Sequence, residues 1–141
     1  MADITIARLR KFRHKQNMID DLEQMKLNWY RPVHSPVLNG MPHSSTPSDP
    51  TASAFAKIER INDQIAMIQS ELADELEEIL NWLYDGTDKS EEFQRIVICH
   101  YLNRMSWEAT TRHVLGYYGT ESAKNYVYRY FDKVRRNENV E

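Results

Sequence analysis

Eight aliphatic residues between positions 58 and 83 limit what this chain can fold into more than any other feature. Ile58, Ile61, Ile65, Ile68, Leu72, Leu76, Ile79 and Leu83 follow one another at intervals of three or four. That is the near-heptad spacing of a helix with one apolar seam and charge on its other faces. The helix is expected from about Ser53 to Tyr84, capped at its start by Thr51 or Ser53 and ended by Asp85-Gly86-Thr87-Asp88. At 1.5 Å per residue it would be roughly 45 to 50 Å long, so it needs a partner along its seam.

The nearest partner is a first helix expected from about Ile4 to Tyr30. Leu9, Phe12, Ile19, Leu22, Met25 and Trp29, with Met18 beside them, fall on one stripe of it. Pro32 and Pro36 stop it. Residues 31–51 then form a polar connector that contains all five prolines. A long antiparallel helical hairpin is the economical arrangement, and pairing between two chains through the long helices is the competing one.

The last third reads as shorter helices. Ser90 caps one that carries Phe93, Ile96, Val97, Tyr101 and Leu102 and ends near Asn103. Ser106 caps a second, Trp107 to about Leu115, which Gly116 ends. A last helix starts near Thr120 or Ser122 and runs to about Arg136. This is the order of a helix-turn-helix. The expected fold is therefore all-α, with a hairpin over 1–85 and a helix-turn-helix domain over 86–141.

Charge is unevenly placed along the chain. The total is -3. Yet residues 8–15 hold Arg8, Arg10, Lys11, Arg13 and Lys15 without an acid. Residues 59–92 hold eleven acids against Arg60 and Lys89, and residues 112–136 hold six bases against Glu121 and Asp132. Two basic ends around an acidic middle leave room for a nucleic-acid partner that the total alone would discourage.

On the last helix Ala123, Val127, Tyr130, Phe131 and Val134 lie within about 100° of one another and form the expected buried stripe. The opposite face is Asn125, Arg129, Asp132 and Arg136, flanked by Tyr128 and Lys133. Asn125 suits adenine and Arg129 suits guanine in a major groove. Lys124, Tyr128, Lys133, Arg135 and Arg136 are placed for phosphates. Ser122 at the helix start and Arg112 on the preceding helix complete the expected DNA-binding set. Asp132 on the same face would be repelled by a phosphate backbone.

Tyr101-Leu102-Asn103-Arg104-Met105-Ser106-Trp107-Glu108-Ala109, then Leu115-Gly116-Tyr117, then Tyr126-Val127-Tyr128-Arg129 resemble the C-terminal part of phage regulators of the RinA/ArpU type. The resemblance covers most of the chain in architecture and about 35 residues in motif. It implies a helix-turn-helix similar to the fourth region of sigma factors, a role in late-gene transcription, and RNA polymerase as a partner besides double-stranded DNA. The chain departs from that pattern twice. Tyr118, Gly119, Thr120 and Glu121 lengthen the turn before Ser122, and Thr110-Thr111 replaces an apolar pair, which should weaken the core face of the middle helix.

Other chemistries find little support. One cysteine, Cys99, excludes an internal disulfide and a cysteine metal cluster. His34, His43, His100 and His113 share no metal-ligand spacing. Cys99 and His100 are helical neighbours that point apart. None of the four glycines forms a phosphate-cradling loop. The chain is not expected to be an enzyme or to need a cofactor or metal. No apolar run has the length of a membrane span, and Met1–Lys15 lacks an apolar h-region, so a cytoplasmic location is the expectation. Two other functions fit the same pattern. A DNA-packaging protein like a small terminase subunit would form a ring, whereas an adaptor for proteins would bind no DNA.

Overall fold

The computed structural model describes residues 3–30, 50–117, 119 and 121–140, and every regular element among them is helical. In chain order these are α1 (Ile6–Tyr30), α2 (Pro50–Tyr84), α3 (Glu91–Val97), a π-helical turn (Ile98–Leu102), α4 (Trp107–Leu115) and α5 (Ser122–Val140). The connector over 31–49, and Tyr118 and Thr120 of the lengthened turn, lie outside the described residues. The chain forms two compact units. One is Lys15–Ala73, and the other joins Met1–His14 to Asp74–Glu141. This division does not fall at 85/86. The first turns of α1 and the last turns of α2 belong with the C-terminal helices because they bury Leu9, Phe12, Ile79 and Leu83 there.

In the Lys15–Ala73 unit, Ala54, Ile58, Ile61, Ile65, Ile68 and Leu72 of α2 are all buried, as the seam requires. Lys15 pairs with Glu71 at 2.7 Å, Lys26 donates to Asn62 at 3.1 Å, and Lys57 lies 4.1 Å from the centre of the Trp29 ring. Partner numbers fall along α2 as they rise along α1, so these segments run in opposite directions. The stripe of α1 differs from the sequence expectation. Ile19, Leu22 and Trp29 are half-buried, but Met18 and Met25 are 49% and 43% exposed. The contact face turns toward Ile19 and Lys26, and Met18 and Met25 sit about 100° or more round the helix from Ile19.

The second unit is organised by aromatic rings. Trp82 of α2 stacks on Phe131 of α5 at 5.9 Å and meets Phe93 of α3 edge-on at 6.0 Å, while Phe93 lies 4.3 Å from Tyr130 of α5. Such pairs add about 0.5 to 1.5 kcal/mol each beyond the area they bury. Lys89, in the turn after α2, is buried. Its ammonium donates to the Asp85 carbonyl and to Asp88, both at 3.1 Å, and sits 5.0 Å from the Trp82 ring. Gly86 in the same turn has φ 75°, the left-handed geometry expected of a helix-ending glycine.

Ser90 caps α3 by accepting from Phe93 N–H at 3.1 Å. The helix then widens, and Asn103 N–H bonds to the Ile98 carbonyl at 2.8 Å, five residues back. His100 in this π turn is buried. Its Nδ1–H donates to the Met105 carbonyl at 2.7 Å, and its ring stacks on Trp107 at 3.5 Å. Trp107 itself is half-buried, so it covers one face of the imidazole rather than filling the core.

Ser106 caps α4 through Ala109 N–H at 3.1 Å. Gly116 ends it with φ 80° and its N–H on the Arg112 carbonyl, a geometry that a side chain would strain. Thr110 and Thr111 are fully buried, and their hydroxyls differ, since Thr110 Oγ1 finds no hydrogen-bond partner there. Thr111 Oγ1 accepts from Ala123 N–H at 3.1 Å and so satisfies a first-turn donor of α5 from within α4. The hydroxyl takes the place of a local cap and ties the two helices together. Replacing Thr111 by Val keeps the shape and strands the Ala123 N–H. We expect a loss of about 1 to 2 kcal/mol in urea unfolding, with Thr111→Ser recovering most of it.

His100 gives the fold a pH dependence of known sign. Burial holds its pKa down at about 4, against the smaller opposing pull of its bond to the Met105 carbonyl. The unfolded chain takes up a proton below about pH 6.5, and the native site does so only near 4. The contribution of His100 to stability is therefore constant above about 6.5 and lost as pH falls toward 4. Thermal melts should show a loss of about 2 kcal/mol by pH 4.5 relative to pH 7. His100→Asn, whose amide can reach the same carbonyl, should flatten that slope.

Candidate nucleic-acid interface

The roll of α5 about its axis decides which side chains meet solvent. Ala123 and Val127 are fully buried, while Tyr130, Phe131 and Val134 are half-buried against the ring cluster. This is the stripe that the sequence spacing marks. Of the expected DNA-binding residues, Asn125, Arg129, Lys133, Arg135 and Arg136 on α5 and Arg112 on α4 are exposed. Ser122, Lys124 and Tyr128 are half-buried.

Helical geometry sorts the α5 residues into three strips. Asn125, Asp132 and Arg136 point away from the core. Arg129 and Lys133 lie on one flank beside Tyr126, whose hydroxyl is 3.0 Å from Ser90 Oγ. With Asp88, Phe93 and Tyr130 they line a cleft of about 310 Å³. Tyr130 donates to Asp88 at 2.7 Å, and this bond holds the Asp88 carboxyl below its ordinary value. Lys124, Tyr128 and Arg135 form the opposite flank.

Tyr128 is held from within the protein and keeps its own O–H to donate. Arg10 of α1 donates to its hydroxyl and lies 5.7 Å from the ring centre, and Lys124 lies 5.6 Å from that ring. The Arg10–Tyr128 pairing spans 118 residues of sequence and has no signal in local spacing. Much of the N-terminal basic run is likewise engaged within the protein. Arg8 bonds to Glu75 and Glu78, and Arg13 donates to the Arg104 carbonyl at 3.4 Å. Glu75 and Glu78 are therefore partners of α1 as well as members of a solvated acidic face.

Asp132, the acid on the outward strip, lies 3.8 Å from Arg135, and Glu121 lies 4.0 Å from Lys124. At such exposure and distance these pairs are worth little, and a stronger anion would compete for either base. Arg104, in the turn before α4, has φ 61° and is the one non-glycine residue with a positive φ among those described. No three His, Cys, Asp or Glu side chains are grouped to hold a metal ion among the described residues, and no helix among them is long and apolar enough to cross a membrane. No family model, curated protein or solved structure matches the chain.

Proposed function

We infer that the chain is a sequence-specific double-stranded DNA-binding protein, a transcriptional regulator in which α4, the 116–121 turn and α5 act as a helix-turn-helix. The observation that carries this reading is the outer surface of α5. A capped, ring-anchored helix presents Asn125, Arg129, Lys133 and Arg136 to solvent at the spacing of a reading head. Asn125 near its start would read an adenine edge and Arg129, one turn on, a guanine. Lys133 and Arg136 would neutralise phosphates, with Arg112, Lys124 and Arg135 leaving their partners within the protein to join them. Arg10 would hold the Tyr128 ring on the flank of α5, from where its O–H would donate to a phosphate.

The resemblance to RinA/ArpU-type phage regulators agrees with this reading and extends it to late-gene control in a bacterial host, with RNA polymerase as the second partner. The long helices would then form an antiparallel hairpin open to pairing with a second copy. An adaptor reading has its own support in Met18, Met25, Leu27, Phe55 and Met67, apolar side chains left exposed on the long helices. A packaging protein related to small terminase subunits would use the same α5 face, but in a ring.

Fluorescence anisotropy with duplex fragments across a salt series decides among these. Wild type should discriminate one fragment, with affinity falling steeply with salt by a log–log slope of about 0.9 per phosphate contact. Asn125→Ala with Arg129→Ala should remove the discrimination, about 1 to 3 kcal/mol per base contact, and leave the salt slope nearly unchanged. Absence of duplex binding at low salt would give the function to the adaptor reading. A ring in sedimentation analysis would give it to packaging.

A further inference from the structure

A second cleft lies on the other flank of α5. It holds about 460 Å³ between the N-terminal end of α1, with the residues just before it, and the second half of α5. Ile6, Phe131 and Val134 form its walls, and each stays half-buried with apolar surface facing the opening. Arg10, Tyr128, Arg135, Asp132 and Asp3 stand round the rim. Its size is within the range of small-molecule sites, about 300 to 1,000 Å³, and an apolar wall with few polar groups is their usual lining.

The rim chemistry selects the ligand. Arg10 is exposed and bonded to a neutral partner, the Tyr128 hydroxyl, and no carboxylate among the described residues lies within ion-pair distance of it. A guanidinium in that state has donors left for a two-pronged bond to a carboxylate. Arg135 is already shared with Asp132 at 3.8 Å, and Asp3 brings a second negative charge. Two acids against two bases make the rim neutral overall, which disfavours a phosphate or nucleotide, while the remaining donors of Arg10 suit one carboxylate.

We propose that this cleft binds a small amphipathic carboxylate, its apolar body against Ile6, Phe131 and Val134 and its carboxylate on Arg10. The bound anion draws Arg10 from Tyr128 and bridges α1 to the flank of α5. The site involves neither Asn125 nor Arg129 and shares only Tyr128 and Arg135 with the proposed phosphate contacts, so loss of base discrimination and loss of this site are read separately.

The test is a titration of the full chain with 1-anilinonaphthalene-8-sulfonate, an aromatic monoanion that fluoresces in apolar sites, with decanoate and decanol as competitors. One saturable site is expected, from which decanoate displaces the probe about tenfold better than decanol. Arg10→Gln should erase that preference while decanol competes as before. Val134→Trp, which fills the cleft, should abolish probe binding. Near-UV circular dichroism shows that each variant is folded, and should Val134→Trp fail there, Ile6→Gln takes its place. The proposal is overturned by the absence of a saturable site, by equal competition from acid and alcohol, or by undiminished binding in the cleft-filling variant. Probe binding that weakens as the protein self-associates would assign the cleft to a second copy of the chain, which also overturns it.

Discussion

Trp82 belongs to α2, Phe93 to α3, and Tyr130 and Phe131 to α5, and the contacts among these rings set the orientation of the last helix. A helix can roll about its axis at little cost when its buried side chains are small. Large flat rings remove that freedom because each must lie against a particular neighbour. Once Phe131 stacks on Trp82, the directions of Asn125, Arg129 and Arg136 follow from helical geometry alone. Thr111 adds a second constraint by receiving the Ala123 N–H, which fixes the start of α5 against α4. The exposed bases owe their arrangement to apolar and hydrogen-bonded contacts on the hidden side.

Local signals were legible in the sequence, and the structure follows them closely. Ser90 and Ser106 cap the helices they were expected to cap, Gly116 ends α4 in the left-handed region, and the 58–83 seam is buried apart from a half-exposed Leu76. The buried stripe of α5 was readable for the same reason, since it depends only on spacing within one helix. What the sequence hid depends on distant neighbours. Met18 and Met25 fit the apolar stripe of α1 as well as Ile19 does, and only the direction of α2 tells them apart. Thr111 reads as a poor core residue until the Ala123 N–H is placed beside it.

The candidate site divides along the same line. The outward strip of α5 was visible from periodicity, whereas the flank was not. Nothing near Tyr128 announces that Arg10 will claim its hydroxyl, nor does the N-terminal basic run announce that Arg8 will be held by Glu75 and Glu78. Runs of like charge look solvated when read alone, and the acidic surface of α2 and the basic start of α1 are partly each other's counterions. The charge left for an outside anion is accordingly smaller than the residue count suggests, and it includes the exposed Arg129, Lys133 and Arg136 of α5.

The π turn at Ile98–Leu102 carries a further consequence. Such a turn holds one more residue than the α-helical turn it replaces, so it has the form of an inserted amino acid retained within a helix. Everything after it, including α4 and α5, is phased by that extra residue. A deletion of one position in this stretch would tighten the turn and swing the chain beyond it by about 100°. His100 would leave the Met105 carbonyl, and Trp107 would lose the imidazole it stacks on. Sequences descended from a common ancestor with this chain should therefore keep the length of the 98–102 stretch more strictly than the identity of its residues.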